Sequence, residues 1–164
     1  GGRRGVALLT RHSFYRYHKS MSEHAPLLPR LQAIVDDFRA LDRDEKLESL
    51  LEYSEQLPDM PAQFRTTPLE HVDECATPIA IAAERQGDAI QFYFDIPPES
   101  PTVRGFASIL HAGLAQATPQ QVLALPNDLH YAMGLQSVLS PQRLNGMHFM
   151  ILHLKRAATR ALQQ

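Results

Sequence analysis

One short segment of this chain alternates apolar and other side chains with the two-residue period of a β-strand. Ile90, Phe92 and Phe94 fall on one face of that segment, residues 86–88 before it form a typical hairpin turn, and residues 79–85 supply a partner strand. A two-stranded hairpin is marginally stable in water by itself. The pattern therefore predicts a small antiparallel sheet that must be covered by helices.

Apolar residues before the hairpin recur at the three- and four-residue spacing of amphipathic helices. A first helix is predicted over residues 27–41. Asp42 is placed to cap a second helix, because Glu45 three residues later can complete a capping box. The predicted buried stripe of this second helix consists of Leu47, Leu50, Leu51 and Leu57.

Three helices after the hairpin are predicted to begin with a hydroxyl side chain followed by proline. Ser100-Pro101, Thr118-Pro119 and Ser140-Pro141 each place a capping oxygen before a residue favoured in the first turn. A further short helix is predicted over residues 128–133. The expected fold is therefore α+β, a single domain in which helices cover a small antiparallel sheet, and 164 residues suit one such domain. The apolar positions of the first and last of these helices are Val103, Phe106, Leu110 and Leu114, and Leu144, Met147, Ile151, Leu154 and Ala158.

Positive charge is concentrated at the N-terminus. Residues 1–20 hold five of the 16 basic residues and none of the 18 acidic ones, which leaves residues 21–164 with 11 basic residues and a formal net charge of −7. An acidic body argues against nucleic acid as a partner, because phosphate binding needs clustered Lys and Arg. We interpret residues 1–20 as a disordered basic leader or translated upstream sequence, and 21–164 as the folded domain; a transit-like peptide and a nucleic-acid arm are the alternatives.

No apolar run approaches the roughly 20 residues that cross a bilayer. We therefore expect no membrane association. The leader also lacks the apolar core of a secretory signal, and the chain has one cysteine. Both features favour a reducing cytoplasm as the location.

The one cysteine, Cys75, lies in a charged, turn-prone stretch. One cysteine excludes an internal disulfide and a cysteine zinc site. A lone cysteine is most often a small buried hydrophobe, but flanking Asp73, Glu74 and Thr77 fit that interpretation poorly. The alternative is a reactive thiol presented on a loop.

A reactive thiol at this position needs cationic help. Asp73 and Glu74 oppose formation of the thiolate by like charge. Three cationic side chains elsewhere in the chain are candidates for offsetting them, namely His71, Arg104 and Arg143.

Other catalytic signatures are missing from the sequence. It has neither a nucleophile elbow nor a phosphate-binding Walker loop. Gly105 and Gly113 lie in a helical pattern, where packing roles are expected. The histidines, including His148 and His153 five residues apart, do not have metal-site spacing and are expected to be structural or solvated.

Three sequence blocks together carry a family resemblance. Residues 74–78 read Glu-Cys-Ala-Thr-Pro, where one branch of the family has Glu-Cys-Gln-Thr-Pro, so Ala76 replaces a Gln. Residues 94–110, which contain Arg104-Gly105, are similar to an Arg-Gly-leading helix, and residues 139–147 are similar to a Ser/Thr-Pro-x-Arg-x-x-Gly block. In order, spacing and coverage from about 27 to 162, the chain resembles the SufE family of sulfur acceptors.

This resemblance implies a specific role for Cys75. The matching cysteine in the family takes sulfane sulfur from a persulfide on a cysteine desulfurase, a SufS-like enzyme, and passes it to an iron–sulfur scaffold of the SufBCD type. The pyridoxal phosphate belongs to the desulfurase, so no cofactor is expected on this chain. By position, Arg143 is the first candidate for supporting the thiolate or the loop, and Arg104 the second.

Two other functions stay open from the sequence. The chain could be a non-catalytic adaptor that only docks a desulfurase or a related partner. It could also be an independent thiol enzyme, although no Cys-His-Asn signature is present. The resemblance favours a persulfide-carrying accessory protein over a stand-alone enzyme.

Overall fold

The computed structural model describes residues 27–164, so the leader predicted over residues 1–20 lies outside the described residues. Two helices come first, α1 (Pro29–Ala40) and α2 (Arg43–Glu55). A 3₁₀ turn (Ala62–Phe64) leads into the strands β1 (Glu70–His71), β2 (Ala80–Gln86) and β3 (Ala89–Asp95). The remainder is helical, with α3 (Pro101–Gly113), α4 (Pro119–Leu123), α5 (Leu129–Ala132), a second 3₁₀ turn (Leu135–Ser137) and α6 (Pro141–Leu162).

The three strands form one antiparallel sheet in the order β1-β2-β3. Gly87 turns the β2–β3 hairpin with a φ of 65°, a conformation that glycine adopts without strain. Ile90, Phe92 and Phe94 are all buried, as their alternation predicts. The two-residue strand β1 was not predicted, because it is too short for any periodic pattern. The predicted α+β fold, a small antiparallel sheet covered by helices, is confirmed.

Helix α2 begins as predicted but buries a different stripe. Asp42 Oδ1 accepts from the Glu45 amide at 2.9 Å, and Glu45 Oε2 accepts from the Asp42 amide at 2.8 Å, which completes the capping box. The stripe prediction is wrong at Leu47 and Leu51, which are each 39% exposed. Leu50 and Leu57 are buried as predicted. The other buried positions of α2 are Lys46 and Ser54, which form a row with Leu50 at four-residue spacing.

This row faces α3 because the two helices approach very closely. Gly105 of α3 lies against the backbone of Leu50, and a Cβ atom at position 105 would overlap the Leu50 carbonyl oxygen and lie 3.0 Å from the carbonyl carbon. Lys46 is tolerated in the row because its Nζ donates to the Leu41 carbonyl at the start of the helix. The expected packing role of Gly105 is confirmed.

The helix starts follow the hydroxyl-proline pattern in two of three cases. Thr118 caps α4 in a full capping box with Gln121, and Ser140 Oγ accepts from the Arg143 amide at the start of α6. Ser100 does not cap α3. Its hydroxyl instead lies 3.1 Å from Thr77 Oγ1, in the loop that carries the cysteine.

Helices α3 and α6 pack against the sheet and supply most of the helical core. Every apolar position predicted for these two helices is buried. No helix within residues 27–164 is both long and apolar enough to span a membrane. The sheet and α6 together position the loop between β1 and β2, which contains Cys75.

Candidate functional site

The loop between β1 and β2 is closed at its base by a backbone hydrogen bond. The Val72 amide donates to the Ile79 carbonyl at 3.1 Å, and both side chains are buried. Within the loop, the Cys75 amide donates to the Val72 carbonyl at 3.2 Å and forms a tight turn. Buried anchors on both sides of a polar tip explain why residues 73–78 leave the sheet here. Cys75 lies in the middle of this loop.

The thiol of Cys75 is half-buried because it rests against α6. A Cβ atom at Gly146 would lie 2.6 Å from Cys75 Sγ, so the missing side chain of Gly146 makes the space that the sulfur fills. The two interpretations of Cys75 from the sequence, a buried hydrophobe and a thiol on a loop, are therefore each correct in part. It lies on a loop, and it also packs against the edge of the hydrophobic core.

An open groove of about 440 Å³ borders Cys75. It lies where β2 begins and β3 ends, and its walls combine the cysteine loop with the residues that follow β3. Its lining includes His71, Asp73, Cys75, Ala76, Asp95 and Pro97. A segment of another protein could approach the thiol through this groove.

Two contacts tie the cysteine loop to the helices on either side of it. The Thr77 and Ser100 hydroxyls meet at 3.1 Å, which joins the loop to the start of α3. Glu74 Oε2 lies 2.8 Å from His153 Nε2, which joins it to α6. Cys75 lies between these two contacts in the sequence.

His153 is buried and contacts a second carboxylate as well. Its Nδ1 lies 2.6 Å from Glu70 Oε1, in β1. Arg160 Nη2 lies 2.7 Å from Glu70 Oε2, and Arg156 Nε lies 3.7 Å from Glu70 Oε1. Two arginines and a histidine of α6 thus surround one carboxylate of the sheet.

These neighbours lower the pKa of both Glu70 and Glu74. Burial by itself would raise the pKa of Glu70, but the hydrogen bonds from His153 and Arg160 outweigh it and hold that pKa below its usual value. The hydrogen bond from His153 likewise lowers the pKa of Glu74. Both carboxyl groups are therefore ionised near neutral pH.

Glu70→Gln is expected to remove stability that depends on pH. Because the pKa of Glu70 is lower in the folded protein than in the unfolded chain, its contribution is fully present above the ordinary glutamate pKa of about 4.5 and is lost as the pH falls through the lowered folded-state pKa. Urea unfolding should give a lower midpoint for the variant than for the wild type near neutral pH. The two midpoints should converge as the pH falls below the folded-state pKa of Glu70, and a gap that does not narrow below about pH 4.5 would contradict the prediction.

The two arginines predicted for the site lie at its margins. Arg104 Nη1 donates to the Ile96 carbonyl at 2.7 Å and so braces the connection between β3 and α3. Arg143 is exposed in the first turn of α6. Within residues 27–164, Cys75 has no hydrogen bond or ion pair with Arg104, Arg143 or His71. The roles of these three residues toward the thiol therefore stay predictions.

Gly146→Ala is expected to push the cysteine loop outward. The new methyl group would take the space now filled by Cys75 Sγ, and the loop can yield because most of its residues are exposed. We expect Cys75 to react with iodoacetamide about threefold faster, with a stability change within about 1 kcal/mol, since alanine also favours the helix. Asn145→Ala, one position earlier and exposed, is the matched control. Equal alkylation rates for both variants would contradict the packing of the thiol against α6.

A sequence model of one family matches residues 32–158; it is described as SufE, a Fe-S metabolism associated domain. The chain belongs to the SufE family. Its general role is therefore in iron–sulfur metabolism, and the resemblance carried by the three sequence blocks is confirmed.

Individual relatives support this SufE-family membership over most of the chain. An uncharacterised SufE-like protein of Mycobacterium tuberculosis is 36% identical over 137 residues, which covers 83% of this chain and 96% of that protein. The SufE-like protein 1, chloroplastic/mitochondrial, of Arabidopsis thaliana is 29% identical over 133 residues, which covers 80% of this chain and 35% of that protein. The solution structure of a hypothetical protein from Thermus thermophilus matches with a TM-score of 0.76 and 32% identity, covering 85% of this chain and all of that one.

The SufE-family site contains residues that sequence reasoning missed. His153 was expected to be structural or solvated, and Glu70 was not singled out. Their sequence separation from each other is 83 positions, so no local pattern links them. The described residues contain no cluster of three or more His, Cys, Asp or Glu side chains arranged to hold a metal ion.

Proposed function

We propose that this SufE-family protein accepts sulfane sulfur on Cys75 from a cysteine desulfurase, stimulates that enzyme, and delivers the sulfur for iron–sulfur cluster assembly. The observation that carries the proposal is a free thiol at the tip of a loop, bordering an open groove, in a chain of this family. A sole cysteine suits a carrier, because a second thiol in reach would discharge the persulfide as a disulfide.

The transfer step follows thiol–disulfide exchange. The Cys75 thiolate attacks the outer sulfur of the desulfurase persulfide, and the new bond to Cys75 Sγ forms as the sulfur–sulfur bond of the partner breaks. The cysteine of the partner leaves as a thiolate. The transferred sulfur keeps its charge or proton, so the exchange needs no external oxidant or reductant.

The geometry of the loop suits this step if Cys75 Sγ can move out of its position against Gly146. Cys75 Sγ is half-buried against Gly146, and an attacking sulfur needs an open approach along the partner's sulfur–sulfur bond. The groove of about 440 Å³ beside the loop gives a partner segment room to reach the sulfur. The negative charge of Asp73 and Glu74 lies beside the thiol. Activation of the thiol therefore falls to Arg143, Arg104 or the docked partner.

The partners follow from the same proposal. The desulfurase holds the pyridoxal phosphate and the first persulfide, and a SufBCD-like scaffold receives the sulfur. The acidic body leaves nucleic acid outside this set of partners. The cytoplasmic location stays a prediction from the sole cysteine, and the Arabidopsis relative is itself named as chloroplastic/mitochondrial.

The test is to incubate the protein with a cysteine desulfurase and cysteine and then to measure its intact mass. We expect the addition of one sulfur atom, about 32 Da, that dithiothreitol removes. Wild-type protein that gains no such mass, although it binds the desulfurase, would support the alternative of a non-catalytic adaptor.

A further inference from the structure

Both ring nitrogens of His153 bond to carboxylates that come from different segments. Nδ1 lies 2.6 Å from Glu70 Oε1 in β1, and Nε2 lies 2.8 Å from Glu74 Oε2 in the cysteine loop. The His153 side chain is only 6% exposed, whereas that of Glu74 is 40% exposed. The buried ring therefore joins the sheet, α6 and the loop at one point.

This geometry requires a charged ring. A neutral imidazole has one N–H donor and one acceptor nitrogen, whereas an ionised carboxylate only accepts. His153 can donate to both carboxylates only if both nitrogens carry hydrogen. Only an imidazolium ring satisfies both ionised carboxylates at once.

The position of His153 on α6 links this contact to the thiol. Gly146 and His153 are seven residues apart, about two helical turns or 10.5 Å, so they lie on nearly the same face of α6. One end of this face receives Cys75 Sγ at Gly146, and the other receives the Glu74 carboxylate. Adjacent residues of one loop are thus held at two points on one helix.

We infer that His153 is a positioning residue whose imidazolium form, through Glu74, holds the cysteine loop against α6 and keeps the Cys75 thiol in its half-buried seat. Loss of a ring proton releases the loop and exposes the thiol. The value of such a device rests on the proposed function, because a sulfur carrier needs a thiol that is covered between transfers and open during them.

The charged groups around His153 determine which contact is released. Glu70 in β1 also has Arg156 and Arg160 as partners, so it remains paired when His153 becomes neutral. Within the described part of the chain, the ion pair of Glu74 is with His153. Asp73 and the Cys75 thiol are the other titratable groups of the loop. The Glu74 side chain is 40% exposed and its carboxylate can be hydrated when His153 becomes neutral, whereas that of Glu70 is 13% exposed, so the contact that fails first is the one that holds the loop.

The test compares alkylation of Cys75 by iodoacetamide in two variants that remove a neighbouring negative charge. Glu74→Ala removes the carboxylate that bonds to His153. Asp73→Ala removes an exposed carboxylate that forms no hydrogen bond with the described residues, so it corrects for the electrostatic effect on the thiol. We expect Glu74→Ala to react about fivefold faster than Asp73→Ala near pH 6, where the imidazolium form of histidine is favoured.

The pH profile separates this role from a merely structural one. The ratio of the alkylation rate of Glu74→Ala to that of Asp73→Ala should approach one as the pH rises to about 9. The contact between His153 and Glu74 is by then already lost in Asp73→Ala, so its removal by mutation has no further effect. His153→Phe, whose ring carries neither charge nor an N–H donor, should show excess reactivity over Asp73→Ala without this shrinkage below about pH 7. Urea midpoints establish that each variant is folded.

Two outcomes would overturn the inference. One is equal alkylation of Glu74→Ala and Asp73→Ala near pH 6, and the other is an excess that does not change with pH. Alkylation needs no desulfurase, so it is independent of sulfur transfer. A fivefold excess together with wild-type protein that takes up no sulfur would refute the proposed function and leave the positioning role intact.

Discussion

Cys75→Ser is expected to take up no sulfur from a desulfurase and cysteine. A serine hydroxyl cannot form the sulfur–sulfur bond that holds the transferred atom, and it is not ionised near neutral pH. Serine is close in size to cysteine, so the seat against Gly146 and the hydrogen bonds of the loop should be kept. Labelling should therefore fall below about 1% of the wild-type level with little change in stability.

The measurement is the intact mass of the variant beside the wild type. Wild-type protein whose thiol has been blocked by iodoacetamide is the matched control, because it keeps every other side chain and should also remain unlabelled. Sulfur addition to Cys75→Ser at the wild-type level would refute the assignment. Stimulation of the desulfurase by Cys75→Ser as strong as by the wild type would instead identify an adaptor.

Gly105→Ala should cause the largest loss of stability among small substitutions in the helices. The added Cβ would overlap the Leu50 carbonyl oxygen, which is backbone and cannot rotate away, so α2 must move off α3. Overpacking of this kind costs typically 1–3 kcal/mol, and the gain in helix propensity offsets about 1 kcal/mol of it. Because the overlap is with backbone, the cost should lie near the upper end of this range, about 3 kcal/mol, which leaves a net loss of about 2 kcal/mol in the free energy of unfolding.

Gly113→Ala in the same helix is the matched control for this prediction. Its new Cβ would meet Leu31 Cδ1 at 2.6 Å, which is the end of a flexible side chain, so the neighbour can shift more easily. Urea unfolding should rank the variants with Gly105→Ala less stable than Gly113→Ala. The reverse order would contradict the close backbone contact between α2 and α3.

The sequence predicted the helices and the hairpin because their signals are local. The alternation at Ile90, Phe92 and Phe94 requires one buried face, and the Asp42–Glu45 capping box lies within four residues. These patterns depend on residues a few positions apart, so they form the same local structure whichever part of the protein the segment packs against.

The stripe of α2 shows where local reasoning failed. Four leucines suggested the buried face, yet Leu47 and Leu51 are exposed and Lys46 is buried. The face that turns inward is the one whose Leu50 backbone lies against Gly105 of α3, a contact between segments 55 positions apart in the sequence. The predicted cap at Ser100 was wrong for a related reason. Its hydroxyl bonds to Thr77, 23 positions away, and does not cap its helix.

The sequence by itself determined the class of fold, the family and the loop that carries Cys75. Only the tertiary structure decided that the thiol is seated against Gly146 and that Glu74 reaches His153, 79 positions away. The physical reason is range. Periodicity and capping depend on near neighbours, whereas a buried histidine between two carboxylates depends on β1, the loop and α6 meeting in space.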